Sequence, residues 1–279
     1  MRDITIGIPK ALMYYRYKYL WFSFFKELKV NILVSEYMNF NNDLLSEVCI
    51  PLKTYFGHVN YLIGKVDYVL VPRILFSESC NYFSCLYDII NNTFDVKLLD
   101  YNLDKDTEEL AFLKMGQKLG FGKEYTLGAY HTAKKEEYRQ NKINYLLDKK
   151  RLNGLGNSIL LISENYICED VLIKGILDIF KNNNFNIINA NYVNPDDYYD
   201  ENTYKKAIIN KIKSTNNIVN GILIITTSPC VCKNIKLYSI YNSLDNTLLI
   251  NMNELNDINL LNRKIDSFID NIKMVGVYE

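Results

Sequence analysis

The chain has 279 residues, 48% of them hydrophobic, which is enough to bury a substantial core and to form two α/β domains rather than one. Its 32 basic residues balance 32 acidic ones, so no net charge would attract nucleic acid or an anionic membrane surface. Because Met1–Ile4 does not open a secretion signal and no apolar run is long enough to cross a bilayer, we expect a soluble cytoplasmic protein.

The first half of the chain alternates between strand-like and helix-like patterns. Short apolar runs predict strands, whereas apolar residues spaced three and four positions apart predict helices. In chain order the predictions are strand Ile4–Pro9, helix Ala11–Leu28, strand Val30–Val34, helix Pro51–Ile63, strand Val66–Val71, helix Phe83–Ile90, strand Val96–Leu99 and helices Thr107–Leu119 and Leu127–Asp148. The nearly continuous apolar content of the third strand is typical of a buried parallel sheet.

The second half repeats this alternation after a stretch with two glycines and two asparagines, Arg151–Asn157, which we interpret as a linker. The predictions continue with strand Ser158–Ile162, helix Asp170–Lys181, strand Phe185–Ile188, helix Thr203–Lys213, strand Gly221–Thr226, strand Leu248–Ile250 and helix Asn259–Ile272. The sequence therefore predicts an α/β fold with two Rossmann-like, doubly wound domains, residues 1–150 and 151–279, that face a central cleft.

The positions of the cysteines point to a cofactor site. Cys80, Cys168 and the pair Cys230 and Cys232 each follow a predicted strand, and Cys49 stands just before a predicted helix. In open α/β sheets ligands collect at the carboxyl ends of the strands. Three or four cysteines can hold an iron-sulfur cluster from dispersed positions. Six cysteines in a reducing compartment also favour thiols or metal ligands over a disulfide framework.

Other interpretations of the cysteines stay open. A free cysteine often acts as a small buried hydrophobe, and we assign Cys85 to the core because its neighbours place it on the apolar side of a helix. Cys168 is left between the two interpretations. A zinc site is less favoured, because the chain has no Cys-x-x-Cys pair and its two histidines lack ligand spacing. We expect His58 to be a half-exposed structural residue or an outer donor near Cys49.

Several nucleotide and hydrolase motifs are absent from the sequence. No Gly-x-Gly-x-x-Gly follows a predicted strand, and there is no Gly-Lys-Ser or Gly-Lys-Thr phosphate loop. The chain also lacks a Gly-x-Ser-x-Gly elbow and a His-Glu-x-x-His zinc motif. The common dinucleotide-binding, P-loop, hydrolase and zinc-protease signatures are therefore missing.

Several segments resemble a known family. Stand-alone proteins related to the 2-hydroxyacyl-CoA dehydratases and their activases begin with a segment similar to Ile6-Gly7-Ile8-Pro9-Lys10-Ala11-Leu12-Met13-Tyr14-Tyr15. Their Cys-Leu-Pro-x-Lys and Gly-His segments resemble Glu47-Val48-Cys49-Ile50-Pro51-Leu52-Lys53 and Phe56-Gly57-His58-Val59. Cys80 occupies the place of the next family cysteine, and Ser228-Pro229-Cys230 resembles the third cysteine segment. The resemblance covers nearly the whole chain.

The resemblance implies a cofactor, a reaction and partners. Dehydratases of this group hold an iron-sulfur cluster, here expected to be 4Fe-4S, through three cysteines in a cleft between two Rossmann-like domains. The residues that match those ligands are Cys49, Cys80 and Cys230, and their sulfurs are expected to converge on a common centre. The implied activity is radical dehydration of a 2-hydroxyacyl-CoA in anaerobic metabolism. The implied partners are an ATP-dependent activator or other electron donor, an acyl-CoA substrate, and a second subunit in a homo- or heterodimer.

This sequence departs from the family pattern at two of the three cysteines. Val231-Cys232-Lys233-Asn234 follows Cys230 where the family has Gly-Pro-Asp, and Cys80 lacks the usual Pro-Lys. Cys232 is therefore a further candidate ligand, either in place of Cys230 or in addition to it, and an added ligand would close the iron site that dehydration needs. Three functions remain: a lyase of the dehydratase type, a low-potential reductase or electron-transfer protein with the same cluster, and a non-enzymatic α/β interaction module with core cysteines.

Overall fold

The computed structural model describes residues 3–36, 49–74, 85–154, 156–163, 171–226, 246–251 and 258–275, and each structural statement below concerns these residues. The chain divides into two compact units, Met1–Glu137 and Tyr138–Glu279. Both units are built from parallel strands that alternate with helices, as a doubly wound α/β protein requires.

The first unit contains a four-stranded parallel sheet. Its strands are β1 (Thr5–Ile8), β2 (Asn31–Val34), β3 (Tyr68–Arg73) and β4 (Leu98–Asn102), in the spatial order β2-β1-β3-β4. Gly7 of β1 pairs with Leu33 on one side and Val69 on the other, which fixes the register of three strands. The helices are α1 (Tyr14–Glu27), α2 (Ile50–Leu62), α3 (Leu86–Thr93), α4 (Glu108–Lys118) and the start of α5 (Lys123–Leu152).

Aromatic side chains form much of the core on the α1 face of this sheet. Helix α1 buries residues at three- and four-residue spacing, among them Tyr17, Trp21 and Phe24. Trp21 contacts the ring of Tyr101 from β4 edge-on, with 5.5 Å between the centroids, and Phe24 lies 4.5 Å from the Phe112 ring of α4. Edge-to-face pairs of this kind contribute about 0.5–1.5 kcal/mol each beyond the area they bury. They hold α1 and α4 to the sheet.

The second unit repeats the arrangement of the first. Its strands are β5 (Ser158–Ser163), β6 (Asn186–Asn189), β7 (Gly221–Thr226) and β8 (Thr247–Asn251), in the order β6-β5-β7-β8 with every pair parallel. The two central strands, β5 and β7, are buried along their whole length because helices cover both faces of such a sheet. The helices that follow α5 are α6 (Val171–Asn182), α7 (Glu201–Thr215) and α8 (Ile258–Val275).

The start of α7 shows how local sequence fixes a helix end. The Asp200 carboxylate accepts a hydrogen bond from the Thr203 N–H at 2.7 Å, and the Thr203 hydroxyl accepts one from the Asp200 N–H at 3.0 Å. This capping box satisfies two backbone donors that the helix leaves open, and such a cap contributes about 1 kcal/mol. Helix α4 begins in a related way, because the Thr107 hydroxyl accepts the Leu110 N–H at 3.3 Å.

The predicted α/β class is confirmed, with two parallel sheets of the doubly wound type. All eight predicted strands occur within a few residues of their predicted bounds. Helix α5 continues to Leu152, so the stretch interpreted as a linker begins inside a helix. The division between the units falls within α5, whereas the sequence pattern places it after Lys150. The central cleft between the domains stays a prediction. Within the described ranges, no helix has the length and apolar content that crossing a membrane requires.

Candidate functional site

The carboxyl edge of the first sheet is the place where its topology gathers chain segments. All four strands are parallel, so Ile8, Val34, Arg73 and Asn102 end at the same edge. The chain moves from β1 to β2 in one direction and then returns past β1 to β3, so the strand order reverses between β1 and β3. Doubly wound proteins bind their ligands at such a reversal point, outside the carboxyl ends of the strands.

Cys49 stands at this edge because of how α2 connects the strands. Helix α2 crosses from β2 to β3, so its amino end lies at the carboxyl edge of the sheet. Cys49 is the residue directly before the helix, with an extended backbone, and Pro51 occupies the first turn, where its missing N–H costs nothing. The cysteine is partly exposed. A helix amino terminus favours a negatively charged group, which makes the position compatible with a thiolate ligand.

A buried hydrogen-bonded pair, Ser35 and His58, joins α2 to the ends of the strands. Ser35 directly follows β2 and is 1% exposed, and His58 lies on α2 and is 4% exposed. The Ser35 Oγ and the His58 Nδ1 are 2.9 Å apart. The same Oγ accepts the backbone N–H of Lys10 at 2.8 Å and lies 3.3 Å from the carbonyl oxygen of Ile8. One hydroxyl therefore links the carboxyl ends of β1 and β2 to α2.

His58 is neutral at pH 7 in the folded protein. Burial lowers its pKa from 6.5 to about 4, against a hydrogen bond to the Glu36 backbone that raises it, and the nearby charge of Lys10 lowers it further. The expectation of a half-exposed histidine is therefore wrong, because the ring packs under the strand ends. The alternative role, an outer donor near Cys49, stays a prediction.

We expect this buried histidine to make the protein sensitive to acid. Its pKa is near 6.5 in an unfolded chain and about 4 when folded, so only the unfolded chain gains the proton between these values. The free energy of unfolding should fall by up to about 3 kcal/mol between pH 6.5 and pH 4. Urea unfolding followed by the fluorescence of Trp21, the single tryptophan, measures this in the first unit.

The His58→Gln variant should lose much of that acid dependence, because glutamine does not titrate. The His131→Gln variant is the matched control, since His131 is exposed on α5 of the same unit and its replacement should leave the dependence unchanged. Equal pH profiles for the parent protein and His58→Gln would contradict a buried neutral His58.

A charged pair marks the carboxyl ends of β3 and β4. The Arg73 Nε donates to the Asp100 Oδ1 at 2.9 Å, and a second bond joins the Arg73 Nη2 to the Asp100 Oδ2. The guanidinium also lies 4.3 Å from the centre of the Tyr87 ring. Hydrogen bonding to Asp100 raises the pKa of Arg73, so the guanidinium stays charged. This pair borders a cavity of about 320 Å³ that is otherwise lined by residues of β4, of α4 and of the segment between them.

The other proposed ligands lie outside the described residues. Cys80 follows β3, and Cys230 and Cys232 follow β7, which occupies the place in the second sheet that β3 occupies in the first. Cys168 follows β5 and is also outside the described ranges. Convergence of the sulfurs of Cys49, Cys80 and Cys230 therefore stays a prediction. Among the residues that the structure describes, no group of three or more His, Cys, Asp or Glu side chains could hold a metal ion.

The assignment of Cys85 to the core is wrong. Cys85 is exposed and stands directly before α3, which begins at Leu86. The predicted helix began earlier, and on that longer helix Cys85 would share the apolar side. In the structure the buried face of α3 starts with Leu86 and Ile90, and Cys85 precedes the first turn. Its exposure makes Cys85 a useful control thiol.

Two residues that shape this edge, Ser35 and Tyr55, are not predicted from the sequence. Ser35 had an available signal, since a polar residue directly after a buried parallel strand lies where ligands and loops gather. Tyr55 lies on α2, 1% exposed, and its hydroxyl donates to the carbonyl oxygen of Leu70 in β3 at 3.3 Å. Burial raises the pKa of Tyr55, so the hydroxyl keeps its proton. No local pattern distinguishes this tyrosine from the many others in the chain.

Comparison with known families identifies the chain. The model of the CoA enzyme activase uncharacterised domain (DUF2229) matches residues 5–193, more than half of the chain. The chain belongs to this family. The match begins in β1 and includes every strand of the first sheet, Cys49, Cys80 and the start of the second unit. The predicted relation to the activase-related proteins is therefore confirmed at the level of the family.

Other comparisons give weaker similarities. No curated protein matches the chain significantly. Among solved structures, the laminin-binding protein Lbp of Streptococcus pyogenes has 9% sequence identity over 90% of this chain and 88% of its own, with a TM-score of 0.30. The laminin-binding protein Lmb of Streptococcus agalactiae, a bifunctional protein with adhesin and metal transporting activity, has 8% identity over 98% of both chains and a TM-score of 0.29. Similarities at this level support no conclusion about function.

Proposed function

We propose that this protein binds an iron-sulfur cluster of the 4Fe-4S type through Cys49, Cys80 and Cys230. The observation that carries the proposal is the position of Cys49, a partly exposed thiol directly before a helix at the carboxyl edge of a doubly wound sheet. Cys80 follows the strand next to the reversal point of that sheet, and Cys230 follows the corresponding strand of the second sheet. Membership in a family of CoA enzyme activase domains supports the same proposal.

The burial of the described cysteines argues against cysteines that merely fill a core. A core thiol is expected to be almost fully buried. Cys49 is partly exposed and Cys85 is exposed, so neither of these two contributes to the core. The interaction-module hypothesis therefore loses its main physical basis at these two positions.

The donor set fits such a cluster, because thiolates are the ligands that iron-sulfur clusters take. Bound there, the cluster would supply low-potential one-electron transfer, and an iron without a fourth protein ligand would act as a Lewis acid. The chain itself contributes a thiol at a helix amino end, where the partial positive charge favours a thiolate. The neutral His58 ring beneath the strand ends adds no charge of either sign.

Two activities follow from the same cluster, and Cys232 separates them. With three cysteine ligands, a 2-hydroxyacyl-CoA could reach the open iron, and the protein would act as a dehydratase-type lyase with an ATP-dependent activator as its electron donor. With Cys232 as a fourth ligand the iron is closed, and the protein would act as a low-potential reductase or electron carrier. We favour the first, because Cys49, Cys80 and Cys230 match the three family segments.

Anaerobic purification followed by iron and acid-labile sulfide analysis tests the cluster. We expect roughly four irons and four sulfides per chain, with a signal in electron paramagnetic resonance after reduction. Folded protein without iron after anaerobic reconstitution would refute the proposal. Addition of a 2-hydroxyacyl-CoA should change the resonance spectrum if the iron is open, and an unchanged spectrum that becomes responsive in a Cys232→Ala variant would assign the electron-carrier activity instead.

A further inference from the structure

Helix α2 is attached to the sheet by buried side-chain hydrogen bonds at two points. The Tyr55 hydroxyl donates to the carbonyl oxygen of Leu70 on β3. One turn further along the helix, the His58 Nδ1 meets the Ser35 Oγ at the end of β2. The two contacts join α2 to strands on opposite sides of β1, since the strand order is β2-β1-β3. The helix is therefore held across the reversal point of the sheet.

Apolar packing accompanies these hydrogen bonds along the same helix. Leu52, Phe56, Val59 and Leu62 are between 0% and 4% exposed. Apolar contacts hold a helix against a sheet but are not directional, so they tolerate small rotations and slides. Hydrogen bonds require a donor and an acceptor at a defined distance and angle, and a buried polar atom that loses its partner destabilises the fold. The two polar contacts therefore set the rotation of α2 about its axis and its position along that axis relative to the sheet.

The position of α2 relative to the sheet determines where Cys49 lies. Cys49 directly precedes the helix, and its carbonyl oxygen accepts the backbone N–H of Leu52 at 3.1 Å and that of Lys53 at 3.0 Å. These bonds make the cysteine continuous with the first turn. Any slide or rotation of α2 therefore moves Cys49 with respect to the ends of β1 and β3.

The Ser35 hydroxyl extends this control to the segment that follows β1. It accepts the Lys10 backbone N–H and contacts the Ile8 carbonyl oxygen, so the start of that segment is fixed to the same polar centre as α2. Ser35 is 1% exposed, so water does not replace these bonds in the folded protein. The Ser35 hydroxyl and the His58 imidazole therefore hold two segments near the reversal point. One is the segment after Ile8, and the other is the segment that begins with Cys49.

We infer that Ser35, Tyr55 and His58 are positioning residues for Cys49, which fix its thiol at the carboxyl edge before any ligand binds. This inference rests on the proposed function, because a role of the three residues in cluster binding requires that Cys49 is a cluster ligand. It also makes a claim about the free protein, namely that the reactivity of Cys49 depends on them. These residues do not touch the cluster in this scheme. They act through the backbone of α2.

Peptide-resolved alkylation of the cluster-free protein tests the claim about the free protein. Under limiting iodoacetamide, mass spectrometry reports the modification rate of Cys49 and of the exposed Cys85 in the same molecules. In His58→Ala, Ser35→Ala and Tyr55→Phe we expect the Cys49 rate to change about tenfold, which corresponds to about 1.4 kcal/mol for one lost buried hydrogen bond. The Cys85 rate should stay constant.

A matched variant and a conservative replacement separate positioning from general loosening. Tyr125→Phe also removes a tyrosine hydroxyl, which donates to the Glu27 carbonyl oxygen at 2.8 Å in the same unit, and it should leave the Cys49 rate unchanged. His58→Gln retains a polar group that can meet Ser35 and should restore much of the parent rate. Equal Cys49 rates within twofold in the parent and all three positioning variants would overturn the inference.

The loaded protein gives a second readout. In the three variants the iron content should be retained, whereas the reduction potential and the resonance spectrum of the cluster should shift, and His58→Gln should lie closest to the parent. Unchanged spectra and potentials with a full cluster would also overturn the inference. Absence of iron from the parent protein would refute the proposed function but not the positioning of Cys49. That positioning is tested separately by the alkylation rates of the free protein.

Discussion

A Cys49→Ala variant purified without oxygen is expected to lose most of the iron that the parent protein binds. A cluster with three protein ligands depends on each of them, and alanine offers no donor atom in place of the thiolate. The fold should survive, because Cys49 is partly exposed before α2 and its backbone, not its side chain, makes the hydrogen bonds to Leu52 and Lys53. Iron and sulfide per chain, together with far-UV circular dichroism, measure the two effects.

Cys85→Ala is the matched control for this experiment. It removes a thiol from the same unit at the start of a helix, in an exposed position, so it makes the same chemical change without touching the proposed ligand set. We expect parent-like iron content. Cys80→Ala and Cys230→Ala should behave like Cys49→Ala if all three are ligands. A full cluster in Cys49→Ala would remove Cys49 from the set, and an equal loss of iron in Cys85→Ala would contradict a specific role of Cys49 as a ligand.

Replacement of Asp148 by alanine is expected to cause the largest loss of stability in the second unit, about 3–5 kcal/mol. The Asp148 side chain is 1% exposed and lies near the end of α5. Its carboxylate accepts the backbone N–H of Asn189 at 2.8 Å and lies 3.2 Å from the Lys211 Nζ and 3.2 Å from the Arg151 Nη1. The Lys211 ammonium also donates to the carbonyl oxygens of Asn189 and Tyr192, at 2.7 and 2.8 Å.

The cost comes from the charge that the substitution leaves behind. Burial raises the pKa of Asp148 and lowers that of Lys211, because loss of hydration disfavours both charged forms. The Asp148 carboxylate and the Lys211 ammonium therefore stabilise each other's charged form in this buried position. Without the carboxylate, the largely buried ammonium keeps its two carbonyl acceptors but loses the negative charge of Asp148, and the Asn189 N–H loses its partner.

Urea unfolding at pH 7, followed by far-UV circular dichroism, measures this effect. Asp178→Ala is the matched control, since Asp178 forms an ion pair at 3.0 Å with Lys181 in which the two side chains are 43% and 55% exposed, and such surface pairs contribute about 0–1 kcal/mol. A double replacement, Asp148→Leu with Lys211→Met, should recover much of the lost stability by removing both charges. Similar losses of unfolding free energy for Asp148→Ala and Asp178→Ala would show that the buried pair contributes no more to stability than the surface pair.

The periodicity of the sequence was sufficient to predict the helices and strands, because it reflects which side chains are buried in each of them. The apolar run of β7 and the three- and four-residue spacing in α1 each follow from which side chains the chain must hide. Element ends were less well predicted where tertiary contacts decide them. Helix α5 continues past the predicted end at Asp148 to Leu152, and the Asp148 carboxylate contacts β6 and α7, partners that are distant in sequence.

The candidate site was predictable only in part. Cys49 could be placed before a helix and after a strand, since both features are local. Its relation to Ser35 and Tyr55 could not, because these contacts arise from the crossover of α2 over β1. The burial of His58 and the exposure of Cys85 were both misjudged from the pattern. One turn of difference in where a helix begins, or the depth of one side chain under a sheet, is set by packing and not by spacing.

By itself the sequence determined the α/β class, the order of the elements and the family resemblance, since each of these depends on residues near one another along the chain. Only the tertiary structure decided the strand order β2-β1-β3-β4, the reversal point beside β1, and the joining of Lys10, Ser35 and His58 by hydrogen bonds. The physical reason is that strand order and buried polar partners are non-local choices. They are fixed by which surfaces can be buried together with every donor and acceptor satisfied.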